Sequence, residues 1–387
     1  MMKDKVLFEI KEEHLETGLR GFPVGYCPTS FVDPQKGLFY RGMPIKEMEG
    51  FTPEKVIALL LTTLFQSKDE IEAFMQEVES HFACHPDVMK HISCLPRKGH
   101  PMKLMSAAVL ILGMIEGKGN YLEDLKILIG KLPHLTALVI NHHAGWGKTP
   151  MPKPSFGYME SFADMVNIPN TDKKKLHEVL DLFEILHMDH GGGNLSTFVG
   201  KAVASSLEDL YGSISSALSA LAGPLHGKAN QDGLGFVKRV LEAVGQKGTL
   251  EDVRTFIEGC VEEKKIIYGF GHAVLRVEDP RATIMYDYST KYFGDHSLVK
   301  TALLIRKAGS EVMSRYPKFQ DPFPNIDAIS GTMLTAAGFG YPEYYTLLFG
   351  LSRSVGIGIQ ICYERLRARH GKGTPIVRPK YFYRDEF

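Results

Sequence analysis

The sequence predicts an all-α fold with a minor β element near its N-terminus. Three observations carry that expectation. Apolar residues recur at helical spacing over most of the chain, capping signals stand where those periodic stretches begin, and alternating strand-like runs are confined to the first forty residues. At 387 residues the chain exceeds one small core, so two domains, or one large domain with a lid, are expected.

In chain order, VLFEI (6–10) and GLFYR (37–41) are the strand candidates, separated by turn-rich FPVGYCPTSFVDPQKG. Thr52 followed by Pro53 opens a helix in the favoured cap-then-proline order. Ser67 and Glu70 form a capping box for the next. Residues 101–116 and 121–143 read as further helices, the first apolar nearly all round and so expected to be buried. From Asp172, the residues Leu176, Val179, Leu180, Phe183 and Leu186 mark an amphipathic helix whose inward face runs on to His187 and His190, before Gly191–Gly193. Residues 195–222 read as one long helix rich in Ala, Ser and Gly, suited to close packing. Shorter helices follow at 235–244, 250–263, 279–293 and 296–315, as a second, smaller domain, before a final helix over 342–369.

Charge is balanced, with 45 basic and 45 acidic residues, which gives no bulk electrostatic reason to bind nucleic acid or an anionic membrane. Apolar runs such as AAVLILGMI are too short to span a bilayer. The five cysteines are scattered and never in CxxC, which points to free thiols in a reducing compartment. The N-terminus resembles neither a signal nor a transit peptide, so the expected location is cytoplasmic, with removal of a presequence left open. GMIEGKGN lacks P-loop spacing, no GxGxxG opens a helix after a strand, and GLSRS is not a GxSxG elbow. HMDH (187–190) invites a zinc reading but lacks the HExxH glutamate and evident distant ligands, so no metal is expected.

Three stretches remain that could carry chemistry. In LAGPLHGKAN (221–230), Gly223 and Pro224 end a helix and leave His226 on a turn where backbone can approach a ligand. In GFGHAVLRVEDPR (269–281), Gly269 and Gly271 flank Phe270 and lead to His272 and Arg276. There Asp279-Pro280 opens a helix with Arg281 in its first turn, where a cation opposes the helix dipole. In PNIDAISG (324–331), Asp327 reads as a helix N-cap or, if desolvated, as a base. Arg353, inside the otherwise apolar YYTLLFGLSRSVG, is costly unless it meets an anion.

Together LHMDHGGGN, GPLHGKANQ, GFGHAVLRVEDPR, PNIDAISG, YYTLLFGLSRSVG and VRPK resemble the citrate synthase family in order and approximate spacing, and DPQKGLFYRG and HPMKLMSAA extend the likeness upstream. Phe270 stands where tyrosine is usual and Ile329 where the mitochondrial type commonly has histidine. The resemblance implies a two-domain helical homodimer with residues 1–227 and 336–387 in the large domain and 228–335 in a small closing one. It implies an acyltransferase condensing acetyl-CoA with oxaloacetate, with coenzyme A thioester as substrate and no cofactor. On that likeness His226 holds the thioester oxygen, His272 acts on the ketone oxygen of oxaloacetate, and Asp327 removes the methyl proton. His190, Asn194, Arg281 and Arg353 hold oxaloacetate, with Arg378 reaching across from the other subunit. Arg276 and the backbone of Gly269, Phe270 and Gly271 contact coenzyme A. The rival expectations are a 2-methylcitrate synthase using propionyl-CoA, a non-catalytic helical binding protein with this fold, and a metal hydrolase built on HMDH.

Overall fold

The computed structural model describes residues 6–385, and regular structure among them is almost wholly helical. After a short 3-10 helix (Glu12–Glu16) comes an antiparallel sheet of three short strands in sequence order, β1 (Ser30–Asp33), β2 (Gly37–Tyr40) and β3 (Met43–Pro44). The expected GLFYR strand is β2, and its partner β1 comes from the stretch read as turns. The other expected strand, VLFEI, is not one. Its described residues are irregular, because no neighbouring strand pairs with its backbone groups.

The helices are α1 (Pro53–Leu61), α2 (Lys68–Ser80), α3 (Pro86–Ser93), α4 (Pro101–Glu116), α5 (Tyr121–Ala144), α6 (Tyr158–Met165), α7 (Lys173–His187) and α8 (Leu195–Ala204). They continue with α9 (Leu210–Leu221), α10 (Ala229–Val244), α11 (Leu250–Glu262), α12 (Pro280–Phe293), α13 (Ser297–Met313), α14 (Ser330–Ala336) and α15 (Tyr345–Leu366). Thr52 caps α1 through the Lys55 N–H, and Ser67 and Glu70 exchange hydrogen bonds at the start of α2, as their sequence signals require.

The single helix expected over 195–222 is two. Leu207 takes a left-handed φ of 71°, and Asp209 restarts the chain by accepting the Gly212 N–H at 2.7 Å. A helix N-cap buried in a small-residue run overrode the helical pattern on either side. The small side chains do what was expected of them. A methyl on Gly200 would lie 3.1 Å from Ala217 of α9 and from Ile357 of α15, so the three helices meet closely there.

Helix α15 is buried from Tyr345 to Cys362, apart from half-buried Phe349. With the preceding turn it is long and apolar enough to cross a membrane, contrary to the expectation from shorter runs, yet 94% of its most apolar window is buried in protein. It packs against α5, α7, α8 and α9, forming the centre of the molecule. Helices α10, α11, α13 and α14 pack on one another, and α12 joins them through α13 and α14. This second group meets the first where α14 touches α7 and α10 touches α15. The residues singled out in the sequence gather at that junction.

Candidate active site

Helix α7 ends at His187, one turn before the glycines, and the loop that follows is held by the sheet. The buried Asp189 carboxylate accepts from Ser30 Oγ at 2.8 Å, Gln360 Nε2 at 2.8 Å and the His190 N–H at 2.9 Å. Tyr40 of β2 accepts the Asp189 N–H at 3.1 Å. These bonds fix the loop at His190, whose Nε2 meets Arg281 Nη2 at 3.3 Å. His187 goes the other way: its ring stacks on Phe183 at 4.0 Å and its Nδ1 bonds the Phe183 carbonyl at 2.8 Å. The two imidazoles of HMDH therefore serve different neighbours and do not form a ligand pair.

Asn194 caps α8, accepting from the Thr197 N–H and Ser196 Oγ, while its amide donates to the carbonyls of His190 and Gly191. Every bond named here ties down the loop behind His190. Ser196, which sequence reading passed over, has a more direct role. Its N–H lies 3.3 Å, and its hydroxyl 3.0 Å, from His226 Nε2. With Nε2 accepting a main-chain N–H, the His226 proton belongs on Nδ1. Burial, and then the nearby Arg353 charge, push the His226 pKa down to about 4, so the ring is neutral.

His272 is fixed the same way at its other nitrogen. The N–H groups of Val274 and Leu275 both point at its Nδ1, each at 3.0 Å, which leaves the proton on Nε2. Its pKa also falls to about 4, through burial and then Arg281. Its ring centroid lies 5.4 Å from that of His190. The segment carrying it is bridged to the 323–325 turn. Asn325 N–H donates to the Gly269 carbonyl at 2.9 Å, Gly271 N–H to the Phe323 carbonyl at 3.2 Å, and Asn325 Nδ2 to the Gly271 carbonyl at 2.8 Å. Gly269 needs its φ of 83°, and a methyl there would sit 2.6 Å from the Ala328 backbone. The Phe270 ring turns inward onto Gly309 of α13.

That bridge also positions Asp327. Asn325 is the cap, accepting the Asp327 N–H at 2.9 Å, so the sequence option of Asp327 as the cap is corrected. The Asp327 carboxylate is left without a hydrogen bond among the described residues. Burial raises its pKa to about 6, against the opposing pull of Arg281 and Arg353. Gly233 of α10 lies flat on this turn; a methyl there would fall 2.2 Å from the Asp327 carbonyl oxygen.

The arginines divide into three kinds. Arg281 is paired: buried Asp279, the cap of α12, takes its Nε at 3.1 Å and Nη2 at 2.7 Å, and Nη2 also reaches His190 Nε2 at 3.3 Å. The conflict between cation and helix dipole is thus settled by a neighbour two residues away, which the sequence reading saw only as a helix start. Arg353 is buried with no ion pair among the described residues. Its Nε donates to the His187 carbonyl at 2.9 Å and its guanidinium lies 4.7 Å from the Phe349 ring centroid. Burial holds its pKa down to about 10, partly offset by Asp189. Arg276 borders this cluster, donating from Nη1 to the His272 carbonyl at 3.3 Å, and Arg378 lies outside it. The first folds its Nη1 back onto the Leu275 carbonyl at 2.6 Å, and the second is exposed in the C-terminal tail.

The cluster therefore combines two neutral imidazoles with fixed proton positions, an unbonded carboxylate with a raised pKa, and a buried cation without a counter-ion among the described residues. Such an array polarises oxygen atoms, takes a proton from carbon and holds an organic anion. Fold and site together define a helical enzyme of the acyl-transfer class. The family model described as citrate synthase, C-terminal domain, matches residues 18–380. The chain is 33% identical to a mitochondrial citrate synthase of Citrus maxima, covering 94% of this chain and 80% of that protein. It is 31% identical to a mitochondrial 2-methylcitrate synthase of Aspergillus fumigatus, over 97% and 86%. Among solved structures, a citrate synthase of Thermoplasma acidophilum in ternary complex with carboxymethyl coenzyme A and oxaloacetate superposes with a TM-score of 0.80 at 25% identity, over 96% of both chains. The Pyrobaculum aerophilum citrate synthase gives 0.80 at 28%, over 96% and 93%. This chain belongs to the citrate synthase family.

Proposed function

We propose that the enzyme condenses acetyl-CoA with oxaloacetate and hydrolyses the resulting thioester to citrate and free coenzyme A. The observation that carries this is the set of proton positions. Asp327, ionised above pH 6, takes a proton from the thioester methyl. His226 Nδ1–H donates to the thioester oxygen as charge develops there, so the carbon acid becomes an enol instead of a free enolate. The enol carbon attacks the ketone carbon of oxaloacetate, and His272 Nε2–H delivers a proton to the ketone oxygen. Water then cleaves the thioester, releasing the thiol.

The anion subsite rests on Arg353 and Arg281. A dianionic substrate supplies the counter-charge that Arg353 lacks, and a guanidinium matches a carboxylate with two hydrogen bonds. Coenzyme A is assigned to the 266–271 segment and Arg276. A cleft of about 930 Å³ beside that segment is lined by Arg239, Lys264 and Lys265 together with Glu242 and Glu263, and by Phe236 and Tyr268, which offer aromatic surface for a nucleotide base. Residues 228–335 are assigned to the small closing domain. The Arg281–His190 contact joins its residues to those of the large one.

The enzyme is further assigned to the cytoplasm, on its five free thiols, and to a homodimer in which Arg378 serves the partner's site. The exposed tail residues Ile376, Tyr381, Phe382 and Tyr383 support the dimer, since a second subunit would cover them. A second reading, propionyl-CoA as the acyl donor, is favoured by the nearly equal identity to 2-methylcitrate synthases. One methyl shifts selectivity by only ~1–3 kcal/mol. Thiol release measured with oxaloacetate and each acyl-CoA decides between them: the higher specificity constant belongs to the true substrate, and no release with either sinks both readings.

A further inference from the structure

Behind the anion subsite lies a carboxyl group that the chemistry above does not use. Glu184 stands on α7 one turn before His187 and is fully buried. Its Oε2 lies 2.6 Å from Ser352 Oγ on α15, the residue next to Arg353. Among the described residues its Oε1 has no hydrogen-bond partner, and neither has the hydroxyl of buried Tyr158 on α6, with which it interacts electrostatically. No cation faces it. Its own helix offers Asp181, which is engaged with His177 at 3.0 Å. From α1 comes Glu54, from α6 Tyr158 and from α15 Ser352. Helix α14, which also packs on α7, has no charged residue.

A buried carboxylate ringed by acids and hydroxyls has no counter-charge, whereas the protonated acid is neutral and gains a donor. We propose that Glu184 is a positioning residue, held as a neutral acid, that latches α7 to α15 through Ser352 and so fixes Arg353 for the anionic substrate. The latch and the His187 carbonyl act as a pair. Both tie α7 to consecutive residues of α15, 352 through its hydroxyl and 353 through its Nε. Burial pushes the Glu184 pKa up to about 8, against the Ser352 hydroxyl, which favours the ionised form, so the acid is neutral at neutral pH and ionises in alkali. On deprotonation the charge is stranded in the core, and α7 and α15 separate to admit water. The substrate affinity therefore falls through Arg353 and not through any group touching the substrate.

This inference rests on Arg353 as the oxaloacetate anchor. The test is the pH dependence of the oxaloacetate KM from pH 6.5 to 9.5 in wild type, Glu184→Gln, Glu184→Ala and Arg353→Leu, with circular dichroism to confirm folding. The expected wild-type KM rises about tenfold above pH 8 while kcat changes less. Glu184→Ala raises KM at pH 7, and Glu184→Gln, which keeps an acceptor for Ser352 and cannot ionise, restores it and abolishes the alkaline rise. A rise that persists in Glu184→Gln, or is missing from wild type, overturns the latch. If Glu184→Ala does not fold, the wild-type and Gln profiles decide alone. An Arg353→Leu variant with an unaltered oxaloacetate KM overturns the anchor instead, so the two failures are distinct.

Discussion

Replacing Arg353 by Leu should leave stability nearly unchanged while abolishing tight oxaloacetate binding. The charged guanidinium is held at a pKa of about 10, against ~12.5 for a free arginine, and ~2.5 logarithmic steps correspond to about 3 kcal/mol of burial cost. Leucine removes that cost. It also forfeits the charge-assisted bond to the His187 carbonyl, about 1.5 kcal/mol, and the contact with the Phe349 face, about 1 kcal/mol. The sum lies within about 1 kcal/mol of zero. Two lost hydrogen bonds to a carboxylate, at about 1.5 kcal/mol or more each, should raise the oxaloacetate Kd at least ~100-fold. Urea unfolding and titration calorimetry read the two quantities separately. Arg281→Leu is the contrast, because it strands buried Asp279 without a partner and should cost about 3–5 kcal/mol. A loss of about 3 kcal/mol in Arg353→Leu, or a Kd within tenfold of wild type, would refute the assignment of Arg353 as an unpaired anion receptor.

Ser196→Ala should cut kcat about tenfold with little change in KM, since His226 keeps its main-chain donor but loses the hydroxyl; rapid-quench rates of thiol release measure it. Activity should fall with acid through pH 6 as Asp327 protonates, while both imidazoles, with pKa values near 4, stay neutral above pH 5; a kcat/KM profile governed by a pKa near 7 would contradict this. Because folding raises the Asp327 pKa, its contribution to stability is present in acid and is lost as pH rises through 6. Asp327→Asn should therefore be more stable than wild type at pH 7.5 and no more stable at pH 4, by urea midpoints. Subunits carrying Arg378→Ala and Asp327→Ala, each inactive alone, should regain activity after mixing and refolding, through one site built from intact residues; no recovery despite mixed dimers would argue against a shared site.

What could be read ahead of the structure was local. Thr52 and the Ser67–Glu70 box mark their helices because a cap is made by residues within one turn. His226, His272, Asp327 and Arg353 stood out because each breaks the pattern around it. The break between α8 and α9 was hidden, because SSLED is compatible with a continuing helix until Asp209 is seen to bond Gly212. The partners of the site were hidden for a different reason. Ser196, Asn325 and Asp189 are ordinary residues whose value comes from which nitrogen or carbonyl they meet in space. Glu184 read as one of the polar positions of an amphipathic helix. Only the packing of four helices around it reveals an acid with no counter-ion among the described residues.

The flat seat of α10 on the Asp327 turn has a mechanical corollary. His226 lies just ahead of that helix, on the assigned large domain, and Gly233 one turn into it, so the carboxylate that takes the proton rides on α10 while the imidazole that meets the thioester stands at its foot. Any swing of residues 228–335 should therefore alter the reach from Asp327 to His226, whereas His226, held by Ser196, should keep its distance from Arg353 on α15. A side chain larger than hydrogen at position 233 would therefore act as a wedge, spoiling carbon-acid activation while leaving the grip on the keto acid intact.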